Sequence, residues 1–347
     1  MMNPGKSDAF TAIFANWHVR SAPLALSLLT CVLSCSAAAN DANGSSRLPT
    51  YRSVVSEVRV TFFATDQNHD PLETLTESDF AVVDNERVVR NFRSFTHSDE
   101  TLLDVVVAVD ASESVVPRSQ VAVSAVLQLV EWAQSVPDNN ISVLSFGGTS
   151  GGTVGGTSAR LPSVVCSKSC QAPDSMNKLD AAKGGGTTPL FDALIFAADF
   201  ISQNRRADSR SNVRPVLILF SDGNDNFSLH TAQEALEAVR TAGALVYSVD
   251  LGTSRNQWSK RDASSTFLQQ VSYATGGRYF SSSPFSRPDS TAAVLKAVRD
   301  DLRASYVVTY DLPSHQAGFH SLQLLPTRNL NLTFHSRDGY NYEPGGN

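Results

Sequence analysis

The stretch that decides the fold is Leu102-Leu103-Asp104-Val105-Val106-Val107-Ala108-Val109, followed at once by Asp110-Ala111-Ser112-Glu113-Ser114. A strand with one face in water alternates apolar and polar residues, whereas a strand buried on both faces reads as a continuous apolar run. Residues 102–109 carry only Asp104 as an interruption, so they are expected to form a central strand with layers packed above and below.

Toward the C-terminus the pattern repeats with helices in between. Val123, Val126, Leu127, Val130 and Ala133 share one face at helical spacing, and residues 141–146 read as the next strand. Helices are expected at 190–203, 231–241, 267–274 and 291–303, the third ending at Gly276-Gly277, and strands at 216–220, 245–249 and 279–280. Apolar strands that alternate with amphipathic helices build a parallel sheet, and right-handed crossovers put the helices on both faces. The expected fold class is α/β, a doubly wound, Rossmann-like, mostly parallel sheet with β-rich flanks at either end.

The flanks follow a different period. Val58, Val60 and Phe62 alternate with Glu57, Arg59 and Thr61, while 306–310, 319–325 and 330–334 read as three closing strands. This divides the chain into an N-terminal β-rich region, 51–100, an α/β domain, 101–304, and a C-terminal β extension, 305–347, whose two flanks are expected to pair. Between strand and helix the Gly-Gly-Thr triplets starting at Gly147, Gly151 and Gly155 lack the Gly-Lys-Ser/Thr ending of a phosphate loop and read as a surface insertion.

Residues 1–39 have the layout of an export signal: a polar start with Arg20, an apolar stretch over 22–33, and the small residues Ala37-Ala38-Ala39. The stretch is shorter than the roughly 18 apolar residues a spanning helix needs. Residues 40–50 then form a linker, and a lipid anchor at Cys35 is the alternative to cleavage after Ala39. Either way the protein is expected to be secreted, periplasmic or at the cell surface. Cleavage leaves Cys166 and Cys170 as the mature cysteines, which are expected to pair in an oxidising compartment. With 28 Lys and Arg against 34 Asp and Glu, a net charge of −6, and no basic run, nucleic acid is excluded as a partner class.

Ligands of open α/β sheets bind beyond the carboxyl ends of the strands. Three loops there carry hydroxyls and carboxylates: Asp110-Ala111-Ser112-Glu113-Ser114, Thr187-Thr188-Pro189-Leu190-Phe191-Asp192, and Ser221-Asp222-Gly223. One such cluster is ordinary capping and turn chemistry. Three in order, all hard oxygen donors without His or Cys, point to Mg²⁺ (or Mn²⁺ or Ca²⁺) rather than zinc, with Asp110, Ser112, Ser114, Thr188 and Asp222 as metal residues. A cation held mainly by neutral oxygens keeps enough charge to take a carboxylate from a protein or other macromolecular partner.

These residues resemble the von Willebrand factor A family. Asp-Ala-Ser-Glu-Ser is similar to its metal-ion-dependent adhesion motif, 188–194 to its threonine loop, and Ser-Asp-Gly to its second aspartate. The resemblance implies direct metal contacts from Ser112, Ser114 and Thr188, with Asp110 and Asp222 direct or through water, and a binding protein rather than an enzyme. Leu75-Thr76-Glu77-Ser78-Asp79-Phe80, Tyr306 to Tyr310 and Arg337 to Tyr340 resemble elements of an exported subgroup described from acidobacteria. Two other readings stand beside adhesion: a structural module whose metal only stabilises loops, and a metal-dependent phosphoryl-transfer enzyme. Against the last, the position two residues after Asp110 is Ser112, where a phosphatase pattern has an aspartate.

Overall fold

The computed structural model describes residues 57–344 except 69, 73, 98–101, 136–138, 149–152, 155–156, 159–161, 169, 171–185, 209–212, 253–257 and 282–288. The export segment with Cys35, the linker and much of the Gly-Gly-Thr insertion lie outside the described residues. In chain order, β1 (Glu57–Thr65), β2 (Phe80–Asp84), β3 (Arg87–Val89) and β4 (Ser94–His97) precede β5 (Leu102–Asp110). There follow α1 (Ser119–Ser135), β6 (Asn140–Phe146), a small hairpin of β7 (Thr153–Val154) and β8 (Thr157–Ser158), β9 (Ser163–Cys166) and α2 (Leu190–Ala207). Then come β10 (Val213–Ser221), α3 (Ala232–Ala242), β11 (Leu245–Asp250), α4 (Trp258–Ala274), β12 (Tyr279–Phe280) and α5 (Asp289–Arg303). The closing strands are β13 (Ser305–Asp311), β14 (Gly318–Pro326), β15 (Thr333–Ser336) and β16 (Gly339–Tyr342).

The apolar run 102–109 lies inside a six-stranded sheet of order β12-β11-β10-β5-β6-β9, parallel except for β9. Successive side chains of a strand point to opposite faces. Val105, Val107 and Val109 accordingly pack with Ala125, Leu129 and Val298 of α1 and α5, while Val106 and Ala108 pack with Leu194, Val239 and Leu268 of α2, α3 and α4. Burying each valine contributes about 1.5–3 kcal/mol. The doubly wound arrangement thus follows from a strand that has two apolar faces to cover.

The helix ends follow local chemistry. Thr231 caps α3 by accepting from the Glu234 amide at 3.3 Å while Glu234 reaches back to the Thr231 amide at 2.7 Å, and Gly243, at φ 67°, ends it. Several elements differ from expectation. Helix α4 starts at Trp258, well before 267, and β9 returns antiparallel along β6 where a plain surface insertion was expected. The third closing strand, β15, is shifted from 330–334, because Asn329 turns the chain by accepting from the Asn331 amide at 3.1 Å and the Leu332 amide at 3.2 Å. A fourth closing strand, β16, was not expected and pairs with β14.

The flanks do pair: β1 runs antiparallel to β13, from Glu57 opposite Asp311 to Phe63 opposite Ser305. Sheet β15-β1-β13-β4 faces sheet β16-β14-β2-β3 across a core that includes Phe62, Phe80, Tyr306, Val308 and Leu324. Within it the buried Asp84 carboxylate accepts from Tyr310 Oη at 2.8 Å and Tyr340 Oη at 2.7 Å, and His320 Nδ1 lies 3.2 Å away. His320 is therefore a member of a structural network rather than a metal ligand.

Cys166 and Cys170 are joined in a disulfide, with Cα atoms 5.4 Å apart. Its surroundings are the start of β6: Cys170 Sγ lies 3.6 Å from the Ile141 carbonyl, and Gln134 Nε2 donates to the Cys170 carbonyl at 2.6 Å. A loop this short limits the unfolded chain by at most about 2 kcal/mol. Reduction is expected to lower the thermal midpoint by no more than about 8 °C. Paired melts with and without reductant check this, and a larger drop would mean that the bridge holds more than its own loop.

Candidate metal centre

Strand β5 ends at Asp110, whose side chain is 2% exposed and turns back on its own loop. Its Oδ1 accepts from the Ser112 amide at 2.9 Å, and its Oδ2 accepts from the Ser221 hydroxyl at 2.7 Å. The first contact folds the loop so that Ser112 and Ser114 Oγ come within 3.2 Å of each other before the 3₁₀ turn Glu113–Arg118 leads into α1. The second joins β5 to β10. Ser112 is 1% exposed, Ser114 faces solvent, and Glu113 is exposed beside them.

Asp222 follows directly at the end of β10, and its Oδ1 accepts from the Asn224 amide at 3.1 Å. The two carboxylates are electrostatically close. Burial first, and the negative charge of Asp222 second, push the Asp110 carboxyl up to about 7, against the hydrogen bonds from Ser112 and Ser221 that favour its ionised form. Two buried acids facing each other without a cation are costly, and that cost is what a bound metal would relieve.

Thr188 is brought to the same edge by a clasp between loops. Its amide donates to Asn226 Oδ1 at 2.7 Å, and its carbonyl accepts from the Asn226 amide at 3.1 Å. Asp225 completes the clasp by accepting from the Phe191 amide at 3.0 Å and the Ser228 hydroxyl at 2.5 Å. Asp225 thereby caps α2, whose own N-cap, Pro189, offers no side-chain acceptor.

All five residues expected at a metal thus lie at one edge of the sheet, where Asp110, Ser112, Ser114 and Asp222 interact among themselves. Thr188 is tied in through Asn226, and the hydroxyl of its neighbour Thr187 is buried without a hydrogen-bond partner. The donor set fits a hard cation: two carboxylates and hydroxyls. Among the described residues no group of three or more His, Cys, Asp or Glu side chains converges.

Two contributors were missed from sequence. Ser221 holds Asp110 in place, a role no spacing announces. Gly147, with φ 77°, sits against the loop so closely that a Cβ there would lie 3.1 Å from the Ser112 amide and 3.2 Å from Asp110 Oδ1. The signal for Gly147 was its place directly after β6; the repeated glycines beyond it obscured it.

The sequence profile of the von Willebrand factor type A domain matches residues 104–293, more than half of the 347-residue chain. Comparison with curated proteins finds no match. Among solved structures, an aerotolerance-related membrane protein from Bacteroides fragilis is 13% identical, with a TM-score of 0.39, covering 58% of this chain and 98% of that one. The protein BatB from Bacteroides thetaiotaomicron is 15% identical, with a TM-score of 0.39 and coverages of 57% and 98%. The pilus adhesin SpaC from Lactobacillus rhamnosus GG is 11% identical, with a TM-score of 0.43, covering 81% of this chain and 47% of that one.

Proposed function

Because the chain belongs to the von Willebrand factor type A domain family, whose domains are generally binding modules rather than enzymes, we propose that it is an exported, metal-dependent binding protein. Asp110, Ser112, Ser114, Thr188 and Asp222 would hold Mg²⁺, or Mn²⁺ or Ca²⁺ in its place. The observation that carries this reading is the buried, mutually repelling pair Asp110 and Asp222 beside the Ser112 and Ser114 hydroxyls. Such a cation supplies a positive centre that a carboxylate of a protein or other macromolecule can engage.

Export through residues 1–39, or anchoring by a lipid on Cys35, is part of the same proposal, as are the divisions 51–100, 101–304 and 305–347 and kinship with the acidobacterial exported subgroup. No helix among the described residues is long and apolar enough to cross a membrane. The Asn226 and Asp225 clasps already tie the threonine loop to the Asp222 loop, which favours a binding role for the metal over a purely loop-stabilising one.

The test is capture of partners from the native organism with the full chain, with Mg²⁺ present or removed by chelator. A partner retained only with metal, and lost with Asp222→Ala, is the expected result. Equal capture under chelator would move the binding activity to the β flanks and overturn the adhesion reading.

A further inference from the structure

At the opposite end of the central sheet from Asp110 and Asp222, a cavity of about 330 Å³ opens between the starts of β10 and β11 and the β flanks. Its lining includes Arg59, Arg205, Arg214, Arg240 and Arg337, against one carboxylate, Glu57. Glu57 is exposed and already engaged by Arg93 at 3.6 Å. In a chain whose net charge is −6, five arginines around one cavity are not a by-product of composition.

Three of these guanidiniums, those of Arg214, Arg240 and Arg337, also carry buried nitrogens without a hydrogen-bond partner. Arg214 is 3% exposed; one of its terminal nitrogens donates to Ser305 Oγ, while Nε and Nη2 have no hydrogen-bond partner. Arg337 donates from Nη2 to the Arg59 carbonyl at 2.9 Å, and Arg240 is ion-paired through Nη2 with the Asp338 carboxylate at 2.5 Å, although Nε of each is buried without a hydrogen-bond partner. Of the three, Arg214 and Arg337 are the two whose charge no ion pair among the described residues offsets. A buried charge costs several kcal/mol unless it is paired, and each guanidinium brings five donors. Burial, with repulsion from Arg59, pushes the Arg214 guanidinium down to about 10; burial with Arg205 nearby does the same in direction for Arg59 and Arg337.

We propose that this cavity is a second binding site, for a phosphate- or sulfate-class oxyanion, separate from the metal centre. A tetrahedral anion presents several acceptor oxygens at once, which suits guanidiniums converging from β1, β10, α3 and the segment before β16 better than the two oxygens of a carboxylate does. A volume of about 330 Å³ has room for one such group with a small body attached. Arg214 and Ser221 lie at opposite ends of β10, so the two sites are roughly 20 Å apart at about 3.3 Å per residue.

The experiment uses the full chain with chelator present, so that the metal centre plays no part. Thermal unfolding and calorimetric titration are run with inorganic phosphate, sulfate and phenyl phosphate, each against chloride at equal ionic strength. A saturable rise in midpoint with phosphate or sulfate, absent with chloride, is expected. Phenyl phosphate binding tighter than inorganic phosphate assigns an ester; equal or weaker binding assigns the free anion. Arg205→Ala, at an exposed rim position, should weaken affinity about tenfold, and Arg214→Met should abolish the response while leaving the anion-free protein no less stable, since it removes an uncompensated buried charge. Asp110→Ala should keep the full anion response, which separates this site from the proposed metal function. A wild-type response no larger than that to chloride, or one unchanged by Arg205→Ala, overturns the proposal even if Arg214→Met does not fold.

Discussion

Asp110→Ala is expected to abolish the stabilisation that Mg²⁺ or Mn²⁺ gives the wild-type protein. A ligand that binds only the folded state stabilises by mass action, by about 2.7 kcal/mol when free metal is a hundredfold above its dissociation constant. For a domain of this size that is a rise of roughly 5–10 °C in midpoint. Asp110 sits beyond the packed part of β5 and its side chain holds the loop through Ser112 and the neighbouring strand through Ser221. Its removal therefore disturbs the donor set while leaving the apolar faces of 102–109 packed.

The same change also removes one of two repelling buried acids, so under chelator the variant loses two hydrogen bonds but gains relief from that repulsion. Ser114→Ala provides a milder variant, since Ser114 is exposed and loses only a hydroxyl. It should show a metal response between those of wild type and Asp110→Ala. Melts of the three proteins with chelator and with excess Mg²⁺ or Mn²⁺ decide the matter. Identical metal responses in all three would remove these residues from the site.

The cluster proposed to hold a metal was legible as a cluster because the sheet constrains where its residues lie and a hard cation would constrain their type. A continuous apolar run followed by Asp110 fixes where the strand ends, and oxygen donors at that end fix what kind of ion suits the place. The clasp made by Asp225 and Asn226 was not legible, because an acid after a strand reads the same whether it faces water or caps the start of another helix. The arginine cavity was invisible for a related reason. Arg59, Arg205, Arg214, Arg240 and Arg337 are scattered over nearly the whole described chain, and only the pairing of β1 with β13 brings the flanks against the sheet. Likewise β9 carried too few residues to show its period after the glycine-rich segment, so no strand was read at 163–166.

Gly276-Gly277 shows the same divide within two residues, and it carries the largest expected loss of stability. The pair read correctly as the end of a helix: Gly276 has φ 83°, its amide donates to the Tyr273 carbonyl at 3.1 Å, and the Gly277 amide donates to the Ser272 carbonyl at 2.9 Å. What the sequence does not reveal is why the second glycine is needed. A Cβ on Gly277 would lie 2.0 Å from the Val246 carbonyl oxygen and 2.7 Å from its carbon, both backbone atoms of β11. Neither can yield, because Val246 is fully buried and its amide is held by the Thr275 hydroxyl at 3.1 Å. Gly277→Ala must therefore push the end of α4 away from the sheet, at a cost of at least about 3 kcal/mol. The same displacement reaches the flank, since Asp338 donates from its amide to the Ala274 carbonyl at 3.2 Å and Thr275 bridges Arg337. Chemical denaturation of wild type and variant measures it. A loss below about 1 kcal/mol would show that α4 and β11 can separate without cost, and that the close packing seen between them contributes little to the fold.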